Sequence, residues 1–248
     1  MKTYSLIILF VVVIIINLLL IIYSEYNKSK KFNYNHLYSY KKLFGFTKQF
    51  IYSGKNIFID SMERNKLCNY FEKMNRPSTF NFNNVKSNKM YHYDLKKIIP
   101  NTLDFIESDD FALYISSLVG TKLFLSNDNN DKVFARSYIN SNDNIKWHYD
   151  NNFSSGKRYT IIIPILINEK NTSSLQYVNP SHKQVLNVID DKDNLYLYEG
   201  DKIFHRVTEQ VEGGKRIVLI VPMYEKRFTF IGKVKMGLKN HFFKHFGL

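Results

Sequence analysis

Hydrophobic and polar positions divide the chain into stretches of different period. Residues 5–23 are almost wholly apolar, with Asn17 the one clear polar interruption. At helical rise such a run measures about 28 Å, close to the hydrocarbon thickness of a bilayer. Residues 17–26 offer no small-residue cleavage site of the Ala-x-Ala kind. The pattern predicts an uncleaved N-terminal transmembrane helix, a single-pass anchor over residues 1–24. Lys2 and the α-amino group stand on one side of it and Lys28, Lys30 and Lys31 on the other. Counted literally, this puts the large C-terminal part in the cytosol. Many N-terminally anchored enzymes face the other way, however, and the side of the membrane stays open. Residues 25–55 are polar, basic and tyrosine-rich, and read as a membrane-proximal connector.

Beyond the connector, residues 56–60 read as a short strand and 61–74 as a helix capped by Ser61, with Leu67, Tyr70, Phe71 and Met74 apolar. Residues 79–90 form a polar, Asn-rich loop or edge. Helical spacing returns over 95–99 and 102–118, where Leu103, Ile106, Phe111, Tyr114, Ile115 and Leu118 share one stripe and Gly120 supplies a stop.

From Lys132 the period shortens. Strands are predicted over 133–139, 146–150, 159–167, 175–178, 185–188, 195–198, 202–205 and 216–224, separated by turn clusters such as 140–144 and 151–156. Many short strands at this spacing suggest a sandwich or barrel. The run 159–167 is apolar throughout, as expected where both faces of a strand are covered. Pro164 within it predicts an edge position or a bulge. The tail, 228–248, is basic and aromatic, with Ile231, Val234, Leu238, Phe242 and Phe246 on one side of a helix that would pack on the core or lie on a bilayer.

Composition adds limits. A single cysteine, Cys68, excludes an intrachain disulfide and a cysteine zinc cage. The net charge of +13 suits an anionic membrane surface, an acidic protein or nucleic acid, or simply a lysine-rich solvated surface. Nothing resembles a nucleobase-flipping lid, so nucleic acid is not called for.

The candidate chemistry lies between Trp147 and Arg216. Residues i and i+2 of a strand share a face, so His148 and Asp150 can converge on one cation. His205 follows far enough along the chain to fold back opposite them. Two imidazoles and one carboxylate make the facial triad of non-haem Fe(II), which leaves coordination positions open for co-substrate and O2. Arg216 opens an apolar strand after the turn at Gly213 and Gly214; a guanidinium there needs an anionic partner, either a dicarboxylate's distal end or Glu209 or Glu212. The tripeptide His92-Tyr93-Asp94 repeats the motif ahead of a Lys-rich helical stretch and reads as incidental. His182 reads as a loop residue.

These residues resemble the pattern of the Fe(II)- and 2-oxoglutarate-dependent dioxygenase superfamily: His-x-Asp, a distant His, then Arg about ten residues on. The segments 193–201, 205–207 and 214–216 are most similar to the prolyl-hydroxylase-like branch, as is the lead-in 56–74. Residues 179–183, Asn-Pro-Ser-His-Lys, instead resemble a segment of the phytanoyl-CoA hydroxylase branch. The resemblance implies an all-β double-stranded β-helix (jelly-roll, cupin-like) core with flanking helices over 56–227. It implies Fe(II) bound by His148, Asp150 and His205, 2-oxoglutarate held by Arg216, and ascorbate as an accessory reductant. A tyrosine commonly touches the co-substrate from the strand after the triad opens; residues 161–166 have none, so Tyr138 or Tyr159 would serve.

The resulting expectation is a membrane-anchored hydroxylase that uses 2-oxoglutarate and O2 on a protein side chain, prolyl-type. The alternatives are the same chemistry on a lipid, small molecule or nucleobase, and a non-catalytic jelly-roll adaptor.

Overall fold

The computed structural model describes residues 51–57, 59–74, 80–81, 85–126, 132–152, 154–188 and 192–226. The predicted anchor, most of the connector and the tail lie outside them. Strand β1 (Tyr52–Lys55) comes first, then helix α1 (Ser61–Lys73), β2 (Phe80–Asn81), β3 (Val85–Lys86) and β4 (Asn88–Tyr91). Three helices follow, α2 (His92–Ile98), α3 (Pro100–Ile106) and α4 (Asp109–Val119), then β5 (Phe124–Leu125), β6 (Phe134–Tyr138), β7 (Asn144–His148) and β8 (Arg158–Ile167). The chain continues through β9 (Leu175–Val178), β10 (Val185–Asn187), β11 (Asn194–Glu199), β12 (His205–Val207) and β13 (Arg216–Tyr224).

The strands form two sheets, and every pairing is antiparallel. The larger runs β1-β11-β8-β13-β6-β4, with β5 beside β13; the smaller runs β10-β9-β12-β7-β3-β2. From β6 to β13 the chain passes back and forth between the sheets, consistent with the expected double-stranded β-helix.

Side-chain alternation builds two cores on the faces of the larger sheet. Leu195, Leu197, Ile161, Ile163, Leu219 and Val221 turn to one face, where Leu67, Phe71, Leu95, Leu103, Ile106, Phe111 and Ile115 of the helices cover them. Tyr196, Tyr198, Ile162, Val218 and Ile220 turn to the other and meet Ile145, Leu175 and Val207 of the smaller sheet. The candidate site lies in this second, inter-sheet layer.

Several local expectations need correction. Asp60 rather than Ser61 caps α1, its carboxylate accepting from the Met62 and Glu63 amides at 2.8 and 3.2 Å. The strand expected over 56–60 lies earlier, at Tyr52–Lys55, so the sheet already includes the end of the expected connector. The polar stretch 79–90 carries β2, β3 and most of β4. The single helix expected over 102–118 is two, because Ser108 starts a new cap by accepting from the Phe111 amide. Gly120 ends α4 at φ 72°, a left-handed conformation suited to glycine.

Pro164 sits in a central strand. With no N–H to give, it opens the ladder, and the register against β13 shifts between Ile217 and Val218.

The expected single-pass localisation is also corrected. Among the described residues no helix is long and apolar enough to cross a membrane. The longest, α1, has 13 residues, about 20 Å at helical rise against roughly 30 Å of hydrocarbon.

Candidate active site

Strands β7 and β12 pair so that His148 and His205 stand directly opposite each other, ring centroids 4.2 Å apart. Asp150 lies two residues past the end of β7, yet its amide donates to the Gly200 carbonyl at 2.8 Å and so stays tied beside the sheet. Its Oδ1 is 3.7 Å from His148 Nε2 and 3.8 Å from His205 Nε2. The three ligand atoms lie within 4.8 Å of one another, and no other such group is found among the described residues.

Each imidazole is oriented by its own strand. His148 Nδ1 is 2.8 Å from the Lys146 carbonyl and His205 Nδ1 is 2.8 Å from the Ile203 carbonyl. A carbonyl only accepts, so Nδ1 carries the proton and the Nε2 lone pair faces Asp150. Burial holds both imidazoles neutral. It lowers His148 to about 3, with the neighbouring His205 as a second cause, against the pull of Asp150, and it lowers His205 as well. Burial would raise Asp150, but Arg158, then His205, His148 and the Thr160 hydroxyl, outweigh it and hold the carboxyl well below the usual range. Neutral imidazoles beside an ionised carboxylate are the protonation states a divalent cation requires, so the donor set fits a metal ion.

The second carboxylate oxygen is already engaged. Asp150 Oδ2 accepts from the Thr160 hydroxyl and lies 3.4 Å from Arg158 Nη1. This leaves Oδ1 as the oxygen aimed between the imidazoles. Gly200 is part of the same construction, since a Cβ there would land on Asp150 Oδ2 and Thr160 Oγ1.

Arg216 opens β13 opposite Tyr138 on β6, and both are almost fully buried. The guanidinium lies 5.4 Å from the Tyr138 ring, and its Nη2 donates to the Tyr196 hydroxyl at 2.7 Å. Tyr198, the next inward-facing residue of β11, stands 4.9 Å edge-on to His205, so Tyr196 and Tyr198 line the way from the guanidinium to the imidazoles. Glu209, considered above as a partner for Arg216, pairs with Lys146 at 3.0 Å.

The sequence matches no family model and no curated protein. Solved structures do resemble it. AviO1 from Streptomyces viridochromogenes Tue57 is similar at TM-score 0.54 and 11% identity, over 73% of this chain and 91% of that one. The non-haem α-ketoglutarate-dependent epimerase SnoN of nogalamycin biosynthesis also gives 0.54, at 9% identity over 78% and 82%. A prolyl hydroxylase from Trichoplax adhaerens, solved with a hypoxia-inducible-factor peptide fragment, gives 0.50, at 12% identity over 82% and 92%. The fold is that of the iron- and 2-oxoglutarate-dependent oxygenases.

Within this oxygenase fold, the sequence-derived residues separate by face. His148, Asp150 and His205 meet, and Tyr138 lies beside Arg216. Tyr159 does not. Adjacent to Thr160 on β8, it points the opposite way and is buried in the helix-side core, which corrects its expected place at the co-substrate. A second tyrosine, Tyr196, accepts a hydrogen bond from Arg216, and sequence reasoning missed it along with Thr160, Arg158 and Gly200. His182 lies in a turn where its amide donates to the Asn179 side chain, apart from the triad.

On the outer face of the smaller sheet Phe204 stacks on Trp147 at 5.1 Å and meets Tyr149 at 4.9 Å. The Arg206 guanidinium lies 4.8 Å from the Trp147 ring. Each of these residues is next in sequence to a triad member, so the cluster fixes the ligand-bearing strands from behind.

Proposed function

We propose that this chain is an Fe(II)- and 2-oxoglutarate-dependent dioxygenase that hydroxylates a C–H bond, on a prolyl-type protein side chain. The observation that carries the reading is the meeting of two neutral imidazoles and an ionised carboxylate within 4.8 Å, in the inter-sheet layer that also holds the buried guanidinium of Arg216. His148 Nε2, Asp150 Oδ1 and His205 Nε2 would hold the iron. When bound, Fe(II) supplies the O2 chemistry, in which one oxygen atom enters succinate as 2-oxoglutarate loses CO2 and the other enters the substrate C–H bond.

The chain's own groups do the positioning. Arg216 and the Tyr196 hydroxyl offer charge-assisted donors to the distal carboxylate of 2-oxoglutarate. Thr160 and Arg158 occupy Asp150 Oδ2 and so hold Oδ1 toward the imidazoles. Tyr198 stays protonated, because burial raises it well above its ordinary value, followed by the Asp150 charge. Its ring, with Ile162 and Val218, keeps this layer apolar, where a fixed charge acts more strongly than in water. A protein substrate is favoured by the sequence resemblance to the prolyl-hydroxylase-like branch.

The test is succinate formation by the full-length protein, stripped of metal and resupplied with Fe(II), ascorbate, 2-oxoglutarate and O2. Iron-dependent succinate is expected, together with a 16 Da gain on a substrate peptide. Iron that binds without any 2-oxoglutarate turnover would leave a binding protein on an oxygenase fold and end this reading.

A further inference from the structure

On the oxygenase reading above, we propose that Tyr177 of β9 is a substrate-positioning residue, whose hydroxyl donates to a neutral carbonyl of a peptide substrate beside the triad. The starting point is register across the smaller sheet. His148 on β7 pairs with His205 on β12, His205 pairs with Tyr177 on β9, and Tyr177 pairs with Leu186 on β10. Directly paired residues of neighbouring strands share a face, with Cβ atoms about 5 Å apart. Two candidate metal ligands, a tyrosine and a leucine therefore form one row, and Tyr177 stands on the flank of His205 away from His148. Tyr177 packs against the inter-sheet cluster, so the row faces inward.

A second row separates this position from the co-substrate. It holds Ile145, Val207, Leu175 and Val188, which all pack in the inter-sheet layer. β7 starts and β12 finishes in this row, at the end of the sheets where β6 finishes at Tyr138 and β13 begins at Arg216. Tyr177 is thus level with the triad and a row removed from the guanidinium, where it serves the substrate rather than 2-oxoglutarate.

The outer end of the triad row is open. β10 is the edge strand of its sheet, and Tyr177 and Leu186 are half-buried where His205 and Leu175 are buried. Among the described residues the Tyr177 hydroxyl has no hydrogen-bond partner. Neither row contains an acid, a lysine or an arginine. A neutral donor on an otherwise apolar wall suits a neutral acceptor. An ion seated there would go unpaired, whereas an amide carbonyl that gave up water on entering would recover a hydrogen bond. A peptide presents such carbonyls on both sides of the residue that reacts.

Binding can be read apart from turnover. Full-length protein is titrated into a fluorescein-labelled, proline-centred hexapeptide with glutamine flanks, and anisotropy gives Kd. Tyr177→Phe, which keeps the ring and removes the hydroxyl, should weaken binding about five- to tenfold, with Tm, metal affinity and the KM for 2-oxoglutarate unchanged. Tyr70→Phe, on the exposed side of α1, should bind as wild type does. Equal Kd for Tyr177→Phe and wild type, or no binding of the peptide by wild type, would overturn the assignment. So would a loss accompanied by a raised KM for 2-oxoglutarate or a lowered Tm, which would place the hydroxyl at the co-substrate or in packing. Iron-dependent succinate formation without peptide tests the chemistry separately. Its absence would refute the oxygenase reading, while a Kd that depends on the Tyr177 hydroxyl would still uphold the peptide contact.

Discussion

The chain carries the tripeptide His-Tyr-Asp twice, and the two copies show what a motif needs from its backbone. His92, Tyr93 and Asp94 begin α2. On a helix, residues two apart point roughly 200° away from each other, so His92 and Asp94 take separate partners. His92 reaches Glu107, which also pairs with Lys132 at 3.0 Å, and Asp94 pairs with Lys97 at 3.0 Å on the surface. His148, Tyr149 and Asp150 leave the end of β7, where extended backbone puts residues two apart on one side. There β12 adds His205, and β8 and the Gly200 turn support Asp150. Identical side chains take separate local partners in one place and form a candidate ligand set in the other.

The largest expected effects test that contrast directly. His148→Ala, Asp150→Ala or His205→Ala should lower iron-dependent succinate formation to below about a thousandth of wild type, since each removes a metal ligand. His92→Ala should leave the rate unchanged. Assays of the four variants side by side would break the comparison if His92→Ala fell with the others or if any triad variant kept full turnover.

Next in size is a change that touches no ligand. In Gly200→Ala the new methyl would occupy the place of Asp150 Oδ2 and Thr160 Oγ1, so the carboxylate must turn away from the imidazoles. Metal affinity should fall by about 10- to 100-fold, measured by competition with a chromogenic chelator. At Gly120 a Cβ meets nothing, so Gly120→Ala should affect stability alone, by about 1–2 kcal/mol for the left-handed backbone. Equal metal affinity in the two alanine variants would show that Asp150 is not braced from Gly200.

How much of this was legible in the sequence follows from what each signal encodes. The two copies of the tripeptide could be ranked because their contexts differ, a Lys-rich helical stretch against a stretch of short strands. Most strands from β6 to β13 could be located because turn residues punctuate apolar runs, but the one expected over 202–205 lies at His205–Val207, after the turn that begins at Gly200. Facing in β8 could not be read. Both of its faces are buried, so hydrophobicity gives no parity to separate Tyr159 from Thr160. Only pairing with β11 and β13 shows that Thr160 turns inward and Tyr159 toward the helices. Tyr196 was missed for the same reason, since Tyr196, Leu197 and Tyr198 are all buried. Gly200 and Arg158 gave no local signal, because their roles arise where β7, β8 and β11 meet. Pro164 was half legible: it lacks a donor wherever it sits, but whether that produces an edge or a bulge depends on neighbours the strand itself does not specify.

The Arg216 subsite sharpens the comparison at intermediate size. Arg216→Ala should raise the KM for 2-oxoglutarate about 100-fold, the loss of a charged anchor for a carboxylate. Tyr196→Phe removes one hydroxyl from the same place and should raise it about five- to tenfold. Tyr159→Phe, in the other core, should leave it unchanged. A 2-oxoglutarate titration of the three variants orders them, and a Tyr159 effect as large as that of Tyr196 would overturn the facing of β8.

The smallest effects return to the first tripeptide. His92 and Glu107 are both largely buried, with side-chain exposures of 12% and 21%, so His92→Ala gives up a partly shielded contact. Lys132 remains on Glu107, so the carboxylate is not left alone. The loss should be about 1 kcal/mol, or a few degrees in Tm for a domain of this size, with metal affinity unaltered. Asp94 faces water beside Lys97, where the solvent replaces whatever the pair provides, so Asp94→Ala should leave Tm where it is. Thermal melts with and without added metal would decide the matter. At the second tripeptide the metal should raise Tm only while all three ligands are intact, and at the first it should raise Tm equally in wild type, His92→Ala and Asp94→Ala. A metal-dependent difference in either of the latter two would mean that the helical copy also takes part in holding the ion.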